Sequence, residues 1–333
     1  MLEKIAQKMV RYRLPLVVLA LVCAILLPIL FPDKYVIRIA TLSLLFVMIT
    51  LSLNLMVGFL GQMSFGHAAF YGIGAYTAAI LTTTYQVPFL VAFILSGISA
   101  GLFGLLLGLP VLKLKGYYFT IITMVFCEII RVVELNWMSL TRGPLGIMAI
   151  PKPKILGFLF DSPRKLYFFV LVMVILSTLV VHNLMNSRIG YAILSIRDDE
   201  LAAESMGIPV FRFKMVIFVI SSMMVGLAGA FYAAYTSYID PSSFAASQSN
   251  NMLVMVIFGG LGNTVGSFIG AIVLTVLPEL LRGLEQYRQL IYGVLLVLLM
   301  MVKPQGLLGD INFKYIRQRM EKRNLTTEER KHE

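Results

Sequence analysis

Charge is what this 333-residue chain has least of. Only 14% of its residues are Asp, Glu, Lys or Arg, against about 25% in an ordinary soluble domain, and this excludes a conventional water-soluble globule. Cysteine is nearly absent as well. The two present, Cys23 and Cys127, both sit inside apolar runs, which argues against a disulfide framework. There are three histidines, His67, His182 and His332, and no His/Cys grouping with the spacing of a zinc site. The dipeptide Gly-Lys never occurs, so there is no phosphate-binding G-x-x-x-x-G-K-[ST] loop and no sign that the chain hydrolyses nucleotides itself. Alternating ten-residue segments are missing too, which speaks against a β-barrel.

What the chain has instead is hydrocarbon. Apolar residues make up 59% and the mean hydropathy is +0.86. Runs of roughly 20 apolar residues, the length that crosses about 30 Å of lipid, recur at roughly 14–31, 36–58, 63–84, 88–112, 116–135, 166–186, 213–237, a glycine-broken stretch 252–278, and 288–302. The expected fold is an all-α polytopic membrane protein with about 8–10 transmembrane segments, some of them glycine-broken or re-entrant. One membrane domain over 1–309 is expected, followed by a basic tail over 310–333. The first run follows Lys4, Lys8, Arg11 and Arg13, yet its length and bulky Pro-containing exit favour a retained helix over a cleaved signal.

The net charge of +11 does not indicate nucleic-acid binding. Basic residues collect at the N-terminus, at Lys113 and Lys115, in a charged stretch over 187–214 and in the tail from Lys303 to Lys331, the distribution of cytoplasmic segments. Both termini are therefore expected in the cytoplasm, with 136–165 and 237–250 outside. Arg142, Lys152, Lys154, Arg164 and Lys165 make that bias imperfect. Parity then requires 252–278 to re-enter on one side or to cross twice. Its middle, FGGLGNTVGSFIG, holds five glycines in thirteen residues, and irregular backbone at membrane depth survives only against protein or a water-filled cavity.

A second glycine-rich segment, 60–76, echoes it. Leu60-Gly61-Gln62 with Gly66 parallels Leu261-Gly262-Asn263 with Gly266, one in each half of the chain. Paired broken segments point to a substrate route between repeats, although glycines that merely let helices approach are common in membranes. Other polar groups within the runs are candidates for that route: Asn54, Gln62, Ser64, His67, Glu128, Arg131, Gly262 and Asn263. An intramembrane charge costs roughly 2.5–3.5 kcal/mol or more. Glu128 and Arg131 share one helical face and can neutralise each other, with Glu134 extending the stripe. A pair that only locks helices together is the simpler alternative, and His67 fits hydrogen-bonded packing better than proton carriage.

The stretch 187–214 is the one long charged island. Arg197-Asp198-Asp199-Glu200 lacks the second acidic cluster that a metal–diphosphate site needs. Asp198 and Asp199 suit a helix N-terminus and Gly207-Ile208-Pro209 a helix end. Residues 201–207, LAAESMG, resemble the EAA loop of ABC importer permeases: Ala202, Ala203 and Gly207 match, while Leu201 stands where Glu is usual and Glu200 comes one residue early. In that family the loop docks on an ATPase. The resemblance assigns ATPase coupling to Arg197, Asp198, Asp199, Glu200, Ala202, Ala203, Glu204 and Gly207.

The likeness runs much further. Residues 53–76, 113–147 and 187–309 resemble the LivM-type permease of branched-chain amino acid ABC transporters. Matching features are Gly-Gln-x-Ser-x-Gly-His at 61–67, Glu128 with Arg131, Thr141 to Gly146, Tyr238 to Pro241, Gly259 to Gly270, and KPQGLLG at 303–309. The resemblance implies a permease subunit that carries leucine, isoleucine or valine across a bacterial or archaeal plasma membrane by alternating access. It implies a homologous second permease subunit, two ATP-binding subunits that consume ATP and Mg, and an extracytoplasmic solute-binding protein. No cofactor is expected on this chain, nor any enzymatic activity of its own. A permease for urea or short amides, an ion-coupled secondary transporter and a membrane enzyme are the competing readings.

Overall fold

Backbone in hydrocarbon must satisfy its own hydrogen bonds, and in the computed structural model the apolar runs do so as helices. The structure describes residues 13–114, 116–155, 157–281, and 293, 294, 297, 301 and 306–308. The expected run 288–302 and tail 310–333 lie essentially outside the described residues, as does Lys115.

Helix α1 spans Arg13–Leu30 and α2 Lys34–Asn54, with Asp33 capping α2 through the amide of Tyr35. The last turn of α2 widens to a π-helix over Leu55–Phe59. After an irregular stretch come α3 (His67–Thr83), α4 (Phe89–Val111) and α5 (Tyr117–Asn136). A loop region with the short strands β1 (Ile147–Met148), β2 (Lys154–Ile155) and β3 (Phe158–Leu159) leads to α6 (Pro163–Met185). Two short helices follow, α7 (Arg188–Asp198) and α8 (Glu200–Ser205), then α9 (Val210–Thr236). Strand β4 (Tyr238–Ile239), a 3-10 turn over Pro241–Phe244, α10 (Ala246–Gly259) and α11 (Thr264–Leu280) close the described chain. The apolar runs and the helices coincide closely, as hydropathy predicts for segments that must span lipid.

The segment expected at 252–278 is a helical hairpin. Helices α10 and α11 pack against each other and turn at 260–263. Glycine lets their backbones meet, since a β-carbon on Gly259 would lie 2.0 Å from the carbonyl oxygen of Gly266.

Helix α9 is the centre of the bundle, packed on α3, α4 and α2. Its 27 residues reach about 40 Å at 1.5 Å per residue. Small residues permit the tightest crossing: a β-carbon on Gly74 of α3 would meet the Gly226 carbonyl oxygen at 2.1 Å. Without a strong hydrophobic drive between helices in lipid, such close packing and interhelical hydrogen bonds hold the bundle. Ser52 and Ser221 supply two of those bonds, each hydroxyl donating to the other residue's carbonyl at 2.6 and 2.9 Å. At the far end β1 pairs antiparallel with β4, Ile147 opposite Ile239, tying the α5–α6 connection to the α9–α10 connection.

Candidate functional site

Two regions gather the polar groups. The first lies at the end of the bundle that carries α7 and α8. The sequence starts α8 at Asp199, whose carboxylate accepts from the amides of Leu201 and Ala202 at 2.9 and 3.0 Å, an ordinary N-cap. Gly207 ends it with φ +82°, a left-handed position where glycine avoids the Cβ penalty. Ala203 is buried, and Glu200 receives Lys214 Nζ of α9 at 2.8 Å with the lysine side chain only 3% exposed. Ile193 and Ile196 bury the inner face of α7. The pair is thus riveted to the bundle. Its outer surface carries exposed Asp198, Glu204, Leu201 and Met206.

Arg197 reaches from the surface into the bundle: its side chain is 39% exposed and its Nε lies 3.7 Å from Asp198. Its Nη1 donates to the carbonyl of Gly58 at 2.8 Å, inside the π-turn of α2. Both glycine-rich breaks press against the same side chain. A β-carbon on Gly61 would lie 2.8 Å from Arg197 Cγ, and one on Gly262 would lie 3.1 Å from Nη1. Asn54, the last residue of α2, then fastens that helix to the second break. Its Oδ1 accepts from the Gly262 amide at 2.9 Å, and its Nδ2 donates to Asn263 O at 3.1 Å and Ser267 Oγ at 2.9 Å. Asn263 caps α11 through the amides of Val265 and Gly266, and its Nδ2 reaches Leu308 O at 3.0 Å. Leu307 of the KPQGLLG stretch bonds Phe258 O at 2.8 Å. The echoed segments therefore meet at one arginine.

Of the other residues expected along a route, His67 is fully buried, with Nε2 2.8 Å from Ser221 Oγ and Nδ1 3.2 Å from Ser64 Oγ. Both ring nitrogens are engaged by hydroxyls deep in the bundle, the geometry of a packing residue. Gln62 keeps its backbone amide on Met56 O at 3.0 Å, and its buried Oε1 has no partner among the described residues.

The second region is α5. Glu128 and Arg131 pair at 3.5 Å, but their side chains remain 43% and 33% exposed. Glu128 lines a shallow apolar groove with Met124, Val125, Ile129, Val132 and Val133. The pair does not lock α5 to another described helix; it faces outward. Glu134 turns the other way. It is 4% exposed, against Gly72 of α3, and neither carboxylate oxygen has a hydrogen-bond partner among the described residues. Tyr76 is 4% exposed, and its hydroxyl is equally unpartnered. Phe244 joins them, positioned by the turn that Asp240 caps through Ser243 N at 2.9 Å. Burial alone would raise the Asp240 carboxyl, but the hydrogen bonds from Ser243 and Ser242 outweigh it and hold the group below the usual carboxylate range. Burial pushes the Lys152 ammonium down, beside the Tyr235 carbonyl at 2.7 Å. Glu134 is visible in sequence as the third member of the 128–131 stripe, whereas Tyr76 carries no sequence signal.

Known proteins give the arrangement a context. The family model described as "Branched-chain amino acid transport system / permease component" matches residues 35–302. The chain is 36% identical over 293 residues to the high-affinity branched-chain amino acid transport system permease protein LivM of Escherichia coli (strain K12), covering 81% of this chain and 69% of that protein. It is 24% identical over 316 residues to a probable branched-chain amino acid transport permease protein LivM of Methanocaldococcus jannaschii, covering 80% and 91%. It is also 23% identical over 296 residues to the high-affinity branched-chain amino acid transport system permease protein LivH of Escherichia coli (strain K12), covering 81% and 92%. No solved structure matches the chain.

Proposed function

We propose that this chain, which belongs to the branched-chain amino acid transport system permease family, moves leucine, isoleucine and valine across the plasma membrane as one half of an ATP-driven permease. The family makes it a multi-pass membrane permease. The second half is a homologous permease subunit. One organism holds both a LivM and a LivH relative of this chain, which supports two related permease proteins in one system. The groove on α5 is where that partner sits, because a half-exposed ion pair in hydrocarbon is costly and a facing subunit would cover it. The route runs beside α5, the helix that carries Glu128 and Arg131 on its exposed side.

Power comes from outside the chain. Two ATP-binding subunits use ATP and Mg, and an extracytoplasmic binding protein delivers the substrate. The ATPases dock on the exposed face of α8, with Leu201 and Met206 as apolar anchors and Asp198 and Glu204 at the rim. The distribution of Lys and Arg assigns that face and both termini to the cytoplasm. The observation that carries the mechanism is Arg197. ATP-driven movement of α7 and α8 pulls on Gly58 and on the hairpin tip at Gly262 together, so one displacement shifts the ends of α2, α10 and α11. Alternating access follows as a population shift between two packings of the same helices.

The test is uptake by vesicles that hold the chain with its cognate partners. Leucine should accumulate with ATP, with competition by isoleucine and valine. Accumulation that survives ATP depletion and collapses with an uncoupler would instead establish ion coupling. Competition by urea with none by leucine would overturn the substrate.

A further inference from the structure

The carboxylate of Glu134 is an acid without a cation. A buried polar group lacking a partner costs about 1–3 kcal/mol, and more when it is charged. Arg131, three residues back on α5, pairs with Glu128 at 3.5 Å instead. A β-carbon on Gly72 would lie 2.5 Å from Glu134 Oε1, so the carboxylate rests on bare α3 backbone. Tyr76 is one turn further along that face of α3, and its hydroxyl has no partner among the described residues. Aromatic rings complete the surroundings. Phe244 lies 5.3 Å from the ring of Tyr71 and 5.8 Å from that of Tyr76, and Tyr232 lies 5.4 Å from Tyr71.

We propose that Glu134 and Tyr76 form a binding site for a primary ammonium group, that of the amino acid in transit. The inference rests on the transport reading above and deepens it. An ammonium has three donors, and the site offers three unpartnered oxygens: Oε1 and Oε2 of Glu134 and the hydroxyl of Tyr76. In this conformation the carboxylate itself fills the space over Gly72. Occupancy requires α5 to move away from α3, a motion that alternating access supplies.

The experiment uses the complete transporter in proteoliposomes, with leucine uptake, ATP hydrolysis and subunit assembly measured for wild type, Glu134→Gln, Glu134→Asp and Tyr76→Phe. Glu134→Gln should assemble and hydrolyse ATP yet lose uptake at least about tenfold, equivalent to 1.4 kcal/mol. Glu134→Asp should retain most uptake, and Tyr76→Phe should fall between them. Wild-type uptake in Glu134→Gln would overturn the site, because Gln imitates a neutral structural acid. Equal loss in the Gln and Asp variants, whether or not the complex assembles, would also overturn it and leave a packing role. A wild-type transporter that carries no ammonium-bearing solute would remove the transport reading itself, an outcome separate from failure of the site.

Discussion

The α7–α8 end and the α5 stripe hold similar residues in opposite states. Around Arg197, each charged group that matters to the fold is answered: Arg197 by the Gly58 carbonyl, Asp199 by two amides, Glu200 by Lys214. Along α5, Glu128 and Arg131 face outward as a pair and Glu134 has no partner among the described residues. A rigid unit transmits force because its polar groups are satisfied within the chain. A surface left unsatisfied in lipid is waiting for another molecule, here a subunit and a substrate.

The sharpest way to break the rigid half is Gly58→Val. A β-carbon there would lie 1.8 Å from Asn54 Oδ1 and 2.2 Å from the Gly262 amide. Overpacking costs about 1–3 kcal/mol, and loss of the Asn54 bonds adds to it. Thermal unfolding in detergent should show several degrees of destabilisation or loss of folded protein altogether. Arg197→Leu probes transmission without crowding. The ATPases should still bind and the chain still insert, while leucine uptake falls about tenfold or more; undiminished uptake would remove Arg197 from the mechanism.

The open half answers differently. Replacing Glu128 and Arg131 together with Leu should leave the unfolding temperature of the isolated chain unchanged or slightly raised, since exchanging a pair away from water for apolar side chains is commonly neutral or stabilising. Co-purification of the second permease should drop. Arg131→Leu alone should be worse than the double change, because it strands Glu128. The smallest effect is expected at Asp240. Its carboxyl is held low in the folded protein, so its stabilisation is present above the unfolded value of about 3.9 and is lost as pH falls through the folded one. Acidification should loosen the Pro241–Phe244 turn, read as a fall in thermal stability, and Asp240→Asn should remove that dependence.

Much of this was legible in the chain before any coordinates. Hydropathy located α1 to α6 and α9 because lipid forces apolar runs into helices of spanning length. Glycine spacing marks 258–270, within which the turn falls at 260–263. Of Asp198 and Asp199, both read as N-terminal, only Asp199 caps α8, while Asp198 ends α7. Gly207 ends α8 as its left-handed preference predicts. Direction was not legible. The sequence groups Arg197 with its acidic neighbours; the half-exposed side chain keeps Asp198 at 3.7 Å and in addition reaches the Gly58 carbonyl. Nothing local to IRDDE says which way a guanidinium points, because its partner lies 139 positions away. Likewise Glu128, Arg131 and Glu134 read as one stripe, but three-residue steps drift around a helix of 3.6 residues per turn. Glu134 is carried to the buried side while the other two stay exposed.

Composition and periodicity alone determined that the chain is a helical membrane protein, where its helices run, and that its two glycine breaks are special, since these depend on solvent and neighbouring residues. Only the tertiary structure decided that both breaks close on a single arginine, and that one acid of the α5 stripe is sealed in without a partner. Those outcomes depend on contacts between segments more than a hundred residues apart or on the face a packed helix presents, which no local pattern encodes.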